Sequence, residues 1–433
     1  MASDLYTEFE WRGMVYEATE GVREVLAREK VTAYIGFDPT ASSLHVGSLL
    51  PIMALARMQR FGHSPIAIAG GGTGLIGDPS GKTQERSLLT LEQVEENLQG
   101  IKAQLAHFLD FDAPVNPARI VNNADWLAKL DLMGFLRDIG KHFTVNYMLA
   151  KESVKRRLEQ EEGISFTEFS YLMLQAYDFL TLYDRYGCTL QLGGSDQWGN
   201  ITAGCDLIRK LRGGRAHGLV LPLVTTASGI KFGKTEAGTI WLDESRTSPF
   251  RFYQFWLNAD DRDVIPYMKY FTFMTPAEIG EIEADLARAP EQRRAQRTLA
   301  RRVTSLVHGE AAMTRAERAS ELLFREQISE LTADEVLDVF EDVPSKELTD
   351  DRFRSEGVPV VELLSSTGLA SSKSEATRLI RSGGVYVNNQ RVTEERTRLT
   401  REDAIDHQVF VLRKGQRQQY LVKLKFPEGG KTE

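Results

Sequence analysis

At 433 residues, with 42% apolar and 26% charged side chains, the chain has the make-up of a globular protein with room for two or three domains of roughly 100–200 residues each. A net charge of −8 excludes a protein that simply coats nucleic acid, and two cysteines, Cys188 and Cys205, exclude a disulfide framework or a zinc pattern. No apolar run nears the roughly 20 residues that span a bilayer, and MASDLYTEFEWRG lacks the basic flank and apolar core of an export signal, so a cytoplasmic protein without membrane contact is expected.

Residues 8–30 read as an opening amphipathic helix. Residues 31–37, VTAYIGF, are rich in β-branched and aromatic side chains and read as a buried strand. Asp38-Pro39-Thr40 stops it, because proline lacks an N–H and turns its predecessor away from helix. LHVGSLLPIMALARMQRFG then suits a helix packed on a sheet, with His45 and Ser48 beside its first turn. Unpaired amides and a partial positive charge at such a turn favour phosphate. Residues 64–72 form a second strand running into glycines, and strand, helix, strand is the pattern of a parallel α/β sheet.

The loop GGGTGLIGDPSGKTQER contains two incomplete motifs. Gly72, Gly74 and Gly77 spell GxGxxG, but Asp78-Pro79 follows at once and denies the helix that a dinucleotide fingerprint needs. Gly81-Lys82-Thr83 ends like a Walker A loop, yet Ile76 stands where the first glycine is required. What remains is a loop offering Asp78, Lys82 and Arg86.

Thr90 and Gln93 form a capping box that starts a helix to about residue 109; residues 119–123 read as a strand and 124–140 as a helix. In the helical stretch 166–186, Tyr171, Gln175 and Asp178 lie at i, i+4 and i+7 and share a face. Asp178 is the only charge between Phe169 and Leu182, so this stripe faces inward and asks for a polar ligand. TLQLGGSDQ, residues 189–197, is a strand tipped by Asp196 and Gln197. Ligands of open α/β sheets sit at the carboxyl ends of strands, which groups Gly36, Asp38, residues 70–78 and residues 193–197 on one rim. The next helix carries Arg209 and Lys210. Another strand covers 218–226, and the loop ASGIKFGKTEAGT then presents Lys231, Lys234 and Thr235 among glycines, as a mobile clamp on phosphates would.

Beyond Ser248 the pattern turns helical, with breaks at Pro266, Pro276 and Pro290 and a basic run QRRAQRTLARRV. Residues 341–358 are polar, acidic and proline-bracketed, as a linker is. A short helix at 359–366, a helix capped by Ser372 with Glu375, and a VYVNNQRV hairpin follow. Between 371 and 401, seven basic residues (Lys373, Arg378, Arg381, Arg391, Arg396, Arg398, Arg401) face three acids (Glu375, Glu394, Glu395), a net of +4 on an acidic chain. This reads as a compact RNA-binding module.

No Ser-His-Asp, Cys-His or metal-ligating cluster is evident, so neither a covalent nucleophile nor a protein-bound metal is expected. The parts suit a reaction whose substrate supplies its own nucleophile at phosphorus, the protein aligning reactants and stabilising charge on departing pyrophosphate.

DPTASSLHVGS, GGSDQ and KFGKT together resemble the signature set of class I aminoacyl-tRNA synthetases. With YIGFDPT, GDPSGK, YLMLQAYDF and LQLGGSDQWGN the resemblance narrows to the bacterial tyrosyl-tRNA synthetases, along essentially the whole chain. It implies a Rossmann-like parallel-sheet catalytic domain (1–225), a lysine-loop and α-helical domain (226–340), a linker (341–358) and a small α+β RNA-binding domain (359–426). It also implies that Tyr34 and Asp178 bond the substrate phenol, with Gln191 in the same pocket, and that Asp78, Tyr171 and Gln175 cradle its ammonium. Gly36, Asp38, Gly47, Gly194, Asp196, Gln197 and Lys234 would surround ATP and the adenylate. Thr40 and His45 would hold the γ-phosphate side, Ser48 standing where the family has a second histidine. Lys82, Arg86, Lys231, Lys234 and Thr235 would close on pyrophosphate. The implied enzyme is a magnesium-requiring homodimer using L-tyrosine, ATP and tRNA(Tyr), with Arg209 and Lys210 at the acceptor stem and Lys373, Arg378 and Arg381 on the RNA module.

Two other readings remain at this stage. A small-molecule nucleotidyltransferase would account for the first half of the chain, and an RNA-binding relative without catalysis would account for its end.

Overall fold

The computed structural model describes residues 4–80, 89–161, 163–227, 229, 232–235, 238–323, 332–340, 343–415 and 418–425. The chain forms two compact units: Met1–Asp243 with Asp260–Ala295, and Glu244–Ala259 with Gln296–Glu433. This differs from the expected boundary at 225/226. Helix Asp261–Phe271 belongs to the first unit, because its Tyr267 and Phe271 enclose the ring of Phe232 at centroid distances of 4.9 and 5.3 Å.

The first unit is built on six strands: β1 (Glu17–Ala18), β2 (Thr32–Phe37), β3 (Ser64–Ala69), β4 (Arg119–Asn122), β5 (Cys188–Gly194) and β6 (His217–Leu221). They lie in the order β1-β6-β5-β2-β3-β4. All are parallel except β1, which pairs antiparallel with β6. From the β2–β5 pair, β3 and β4 extend one way and β6 the other, which opens a crevice at the carboxyl ends of the strands, where ligands of such sheets bind. Helix Leu49–Arg60 links β2 to β3 and is buried along nearly its whole length. Helix Phe166–Tyr186 starts where Ser165 Oγ accepts the Glu168 N–H and stops at Gly187 in the left-handed region. It shares a core with helix Trp198–Arg212 through Ala176, Phe179, Ala203 and Leu207. A further hairpin, β7 (Lys234–Thr235) with β8 (Gly238–Thr239), carries the lysine-loop backbone.

Two expected helices are broken. Residues 8–30 become helix Leu5–Trp11, strand β1 and helix Val22–Arg28, because Gly13 and Gly21 hold φ of +71° and +88°, which a helix cannot accommodate. Residues 124–140 divide into Ala124–Leu127 and Leu132–Asp138, since Asp131 accepts the Gly134 N–H at 2.8 Å and caps a new start.

The second unit contains helices Pro249–Leu257, Glu310–Leu323 and Ala333–Val339, and helix Arg294–His308 from Gln296 onward. Strands β9 (Ser345–Leu348), β10 (Val358–Pro359), β11 (Val385–Val387), β12 (Gln390–Arg391), β13 (Arg398–Leu399), β14 (Val409–Lys414) and β15 (Gln418–Leu424) follow. β10 pairs with β13, and the rest form one sheet in the order β12-β11-β14-β15-β9. Strand β9 corrects the expected linker: residues 345–348 run parallel to β15, their charge being that of an edge strand exposed to water. The Asn-Asn turn is as read, with φ of +46° at Asn388 and +63° at Asn389. The small domain packs around Leu364, Ile380, Val385, Phe410 and Val422. The arginines of the basic run lie on the exposed face of helix Arg294–His308, and Leu299, Ala300 and Val303 face inward. No helix among the described residues is long and apolar enough to cross a membrane.

Candidate active site

One end of the crevice begins where β2 stops. Thr40 is exposed, its N–H on the Asp38 carbonyl at 2.9 Å. His45 caps the short turn Val46–Ser48, its Nδ1 accepting the Gly47 N–H at 3.0 Å. Ser48 leads into helix Leu49–Arg60 without a side-chain capping bond. The lysine loop is tied to the same segment: Val46 N–H donates to Ile240 O (3.0 Å) and Leu242 N–H to Leu44 O (2.9 Å), and the His45 and Trp241 rings meet edge to face. Phe232 is buried, stacked on Phe271 at 11°. Gly233 holds φ +82°, and a Cβ there would lie 2.6 Å from Val46 Cγ2. At the loop base Ala227 N–H donates to the Asp263 carboxylate at 3.0 and 3.1 Å. The backbone of Lys234 and Thr235 continues from this anchor as β7; Lys82, Arg86 and Lys231 lie outside the described residues.

The opposite end of the crevice is closed and polar. Tyr34 on β2 and Gln191 on β5 are register partners. They are 1% and 2% exposed, and neither Tyr34 Oη nor Gln191 Oε1 has a hydrogen-bond partner among the described residues. Leaving two such atoms dry is costly unless a ligand satisfies them. Asp178 is buried nearby and accepts from Trp126 Nε1 at 2.7 Å and Asn123 Nδ2 at 2.9 Å. Burial pushes its carboxyl up to about 7 despite those two donors, and burial followed by the Asp178 charge raises the Tyr34 phenol well above its ordinary value.

Between the two ends lies a polar network. Asn123 Nδ2 also reaches Thr73 Oγ1 (2.9 Å), Thr73 donates to Asp38 Oδ1 (3.2 Å), and Tyr171 Oη donates to Asp38 Oδ2 (3.3 Å). Asp78 is buried and accepts from Gln197 Nε2 at 2.7 Å and Ser80 N at 2.9 Å. Gln175 Oε1 accepts from Asn200 Nδ2 at 3.0 Å. The face shared by Tyr171, Gln175 and Asp178 therefore points inward as expected, with its members divided: Tyr171 bonds Asp38, while Gln175 joins the group around Asp78. Gly36 leaves an open patch on the sheet, with nothing within 4 Å of where a Cβ would stand. Gly194 ends β5, beside Leu221 of β6, and Asp196 follows in the next turn.

The basic candidates are mostly engaged with neighbours. Arg209 pairs with Asp206 at 3.1 Å, and Lys210 Nζ donates to His142 O at 2.9 Å. In the second unit Lys373 lies 3.9 Å from Glu362, Arg381 pairs with Glu395, and Arg378 is exposed. Arg413, unremarked in the sequence, stacks over Tyr386 at 3.8 Å. Among the described residues, no group of three or more His, Cys, Asp or Glu could hold a metal ion.

Asn123, Trp126, Thr73 and Asn200 are the site residues that motif reading passed over. Asn123 was within reach, since it follows β4 at the same rim as Asp38 and Gln197; Trp126 carried no signal, being apolar in a helical stretch.

Comparison with known proteins gives the family. A family model described as "tRNA synthetases class I (W and Y)" matches residues 26–325, and one for the "Tyrosine--tRNA ligase SYY-like C-terminal domain" matches 335–422. The tyrosine–tRNA ligase of Roseiflexus castenholzii is 59% identical over 417 residues, covering 96% of this chain and 98% of that protein. That of Geobacillus stearothermophilus is 56% identical over 425 residues, covering 97% and 99%. A C-terminally truncated mitochondrial tyrosyl-tRNA synthetase from Aspergillus nidulans superposes with a TM-score of 0.68 at 30% identity, covering 75% of this chain and 95% of that one. The chain belongs to the tyrosine–tRNA ligases of the class I tRNA synthetases.

Proposed function

We propose that the protein activates L-tyrosine with ATP, giving tyrosyl-adenylate and pyrophosphate, and then transfers the tyrosyl group to the 3′ end of tRNA(Tyr). The tyrosine carboxylate attacks the α-phosphorus and pyrophosphate leaves, so the protein supplies no covalent nucleophile. Its work is alignment and charge stabilisation. The observation that carries the reading is the dry pair of Tyr34 Oη and Gln191 Oε1 beside Asp178, a pocket complete only with a hydroxyl inside it. Asp78, Tyr171 and Gln175 cradle the ammonium; Gly36, Asp38, Gly47, Gly194, Asp196 and Gln197 line the nucleoside region. Thr40, His45, Ser48 and the loops bearing Lys82, Arg86, Lys231, Lys234 and Thr235 serve the phosphates. Magnesium arrives on the phosphates of ATP, and the tRNA substrate places the work in the cytoplasm. Arg209 and Lys210 meet the acceptor stem; Lys373, Arg378 and Arg381 meet RNA elsewhere.

The active species is read as a homodimer. Leu132, Met133, Val145, Leu158 and Phe166 are large apolar residues at 50–75% exposure within one stretch of chain, and such grouping marks an association surface. Sedimentation of the Met133→Asp/Phe166→Asp double variant should give a monomer; an unchanged species would remove this part of the reading.

Tyrosine-dependent exchange of pyrophosphate into ATP, followed by charging of tRNA(Tyr), tests the reaction. Exchange without any amino acid dependence would favour a small-molecule nucleotidyltransferase. Binding of tRNA without adenylate formation would favour a catalytically silent relative.

A further inference from the structure

One buried carboxamide in the crevice has no part in the chemistry above. Asn200, in the first turn of helix Trp198–Arg212, is 4% exposed. Its Nδ2 lies 3.0 Å from Gln175 Oε1, 3.3 Å from Gln197 Oε1 and 3.3 Å from Ser80 Oγ. Those acceptors come from three separate segments: helix Phe166–Tyr186, the turn after β5, and the loop after β3.

An amide NH2 has two protons, and Ser80 can rotate its hydroxyl to suit the protons left over. The consequence concerns the two glutamines, whose oxygen and nitrogen ends are nearly identical in shape and opposite in polarity. With its oxygen on Asn200, Gln197 must turn its NH2 to Asp78, where the distance is 2.7 Å. Asp78 is then held from two sides, by that NH2 and by the Ser80 N–H. Gln175 is likewise held by its oxygen, which keeps a second lone pair free. An ammonium group donates three hydrogen bonds and accepts none. A flipped Gln175 would present NH2 to it, and a flipped Gln197 would release Asp78. Both errors cost most in a buried site.

We propose that Asn200 is a positioning residue for the amino group of the substrate: it sets the polarity of the Gln175 and Gln197 amides, and through Gln197 the direction of Asp78. This rests on the tyrosine-activating reading above.

Three probes separate the parts of the pocket: L-tyrosine, tyramine, which keeps the ammonium and lacks the carboxylate, and 3-(4-hydroxyphenyl)propanoate, which lacks the ammonium. Asn200→Asp keeps the shape and removes the donor. It should weaken tyrosine and tyramine about tenfold, as loss of a buried hydrogen-bond network does, while the propanoate and the KM for ATP stay within about twofold. Should thermal melting show that Asn200→Asp does not fold, Asn200→Ala read with the same probes decides. Equal weakening of all three probes, or no weakening, would overturn the proposal. Absence of tyrosine-dependent exchange by the unaltered protein would remove the functional reading and the proposal with it; normal exchange with an unsplit variant would remove only the proposal.

Discussion

The two ends of the crevice are built on opposite plans. At the end proposed to take the phenol, Tyr34, Gln191 and Asp178 are buried on strands and a long helix, and two of them hold polar atoms that nothing among the described residues satisfies. At the end proposed to take phosphate, His45 and the segment around Phe232 are positioned by backbone bonds and one buried ring. A dry, rigid pocket selects, because the wrong ligand leaves its polar atoms unpaired. Donors on anchored loops accelerate, because they meet charge that exists fully only in the transition state.

The largest expected effect breaks the phosphate end alone. His45→Ala should lower the rate of adenylate formation by roughly 10²–10³-fold, the range for removing one preorganised donor to developing charge. Its tyrosine dissociation constant should not move. Stopped-flow fluorescence reads both quantities, and a matching loss of tyrosine affinity would place His45 elsewhere.

Next in size is the phenol end. Asp178→Asn keeps the shape and loses the charged acceptor, so kcat/KM for tyrosine should fall roughly 10- to 100-fold, the worth of a hydrogen bond to a buried charge. Phenylalanine loses nothing by the change, and the selectivity should shrink by the same factor. Hydroxyl-reading sites, for which the tyrosyl enzymes are themselves the standard example, reject the analogue without a hydroxyl by about 10⁴–10⁵. Exchange assays with both amino acids check this, and undiminished selectivity would refute the role given to Asp178.

A smaller effect tests the anchor of the loop. Phe232→Leu removes the stack on Phe271 while staying apolar, so activation should slow by about tenfold, aromatic pairing being worth about 0.5–1.5 kcal/mol beyond burial. Tyrosine binding should again be spared. Equal damage at both ends would show that Phe232 serves the whole core.

The sequence made the phosphate end legible through its motifs and the phenol end only through one helix face. HVGS and KFGKT are distinctive only as a set with GGSDQ, and the inward stripe of Tyr171, Gln175 and Asp178 follows from helical period. Asn123, Trp126 and Asn200 act through contacts with residues 25 to 55 positions away, and no local pattern encodes such pairings. The same reason hid β9, whose charged residues 345–348 look like linker until β15 lies beside them. The attachment of helix Asp261–Phe271 to the first unit was hidden likewise, since it depends on Phe232 finding Tyr267 and Phe271. Capping chemistry at Thr90 and Ser372 is local and was readable.

The finest difference between the two ends is in their response to pH. Burial raises the free Asp178 carboxyl from its ordinary value to about 7. The folded protein therefore holds a proton there that the unfolded chain gives up near 3.8, and stability from this group falls as pH rises from that value to about 7. Binding runs the other way. A phenol that donates to Asp178 favours the ionised carboxylate, so the complex binds fewer protons than the free protein and affinity for tyrosine climbs with pH. Between pH 6 and pH 8 the rise should be about tenfold, the change in ionised fraction of a group titrating near 7. Phenylalanine gains nothing from the charge and is repelled by its desolvation, so selectivity should widen over the same interval. Fluorescence titration across that range checks the slope, and Asp178→Asn should flatten it. A slope that survives in Asp178→Asn would assign the titration to another group and leave Asp178 neutral in the complex.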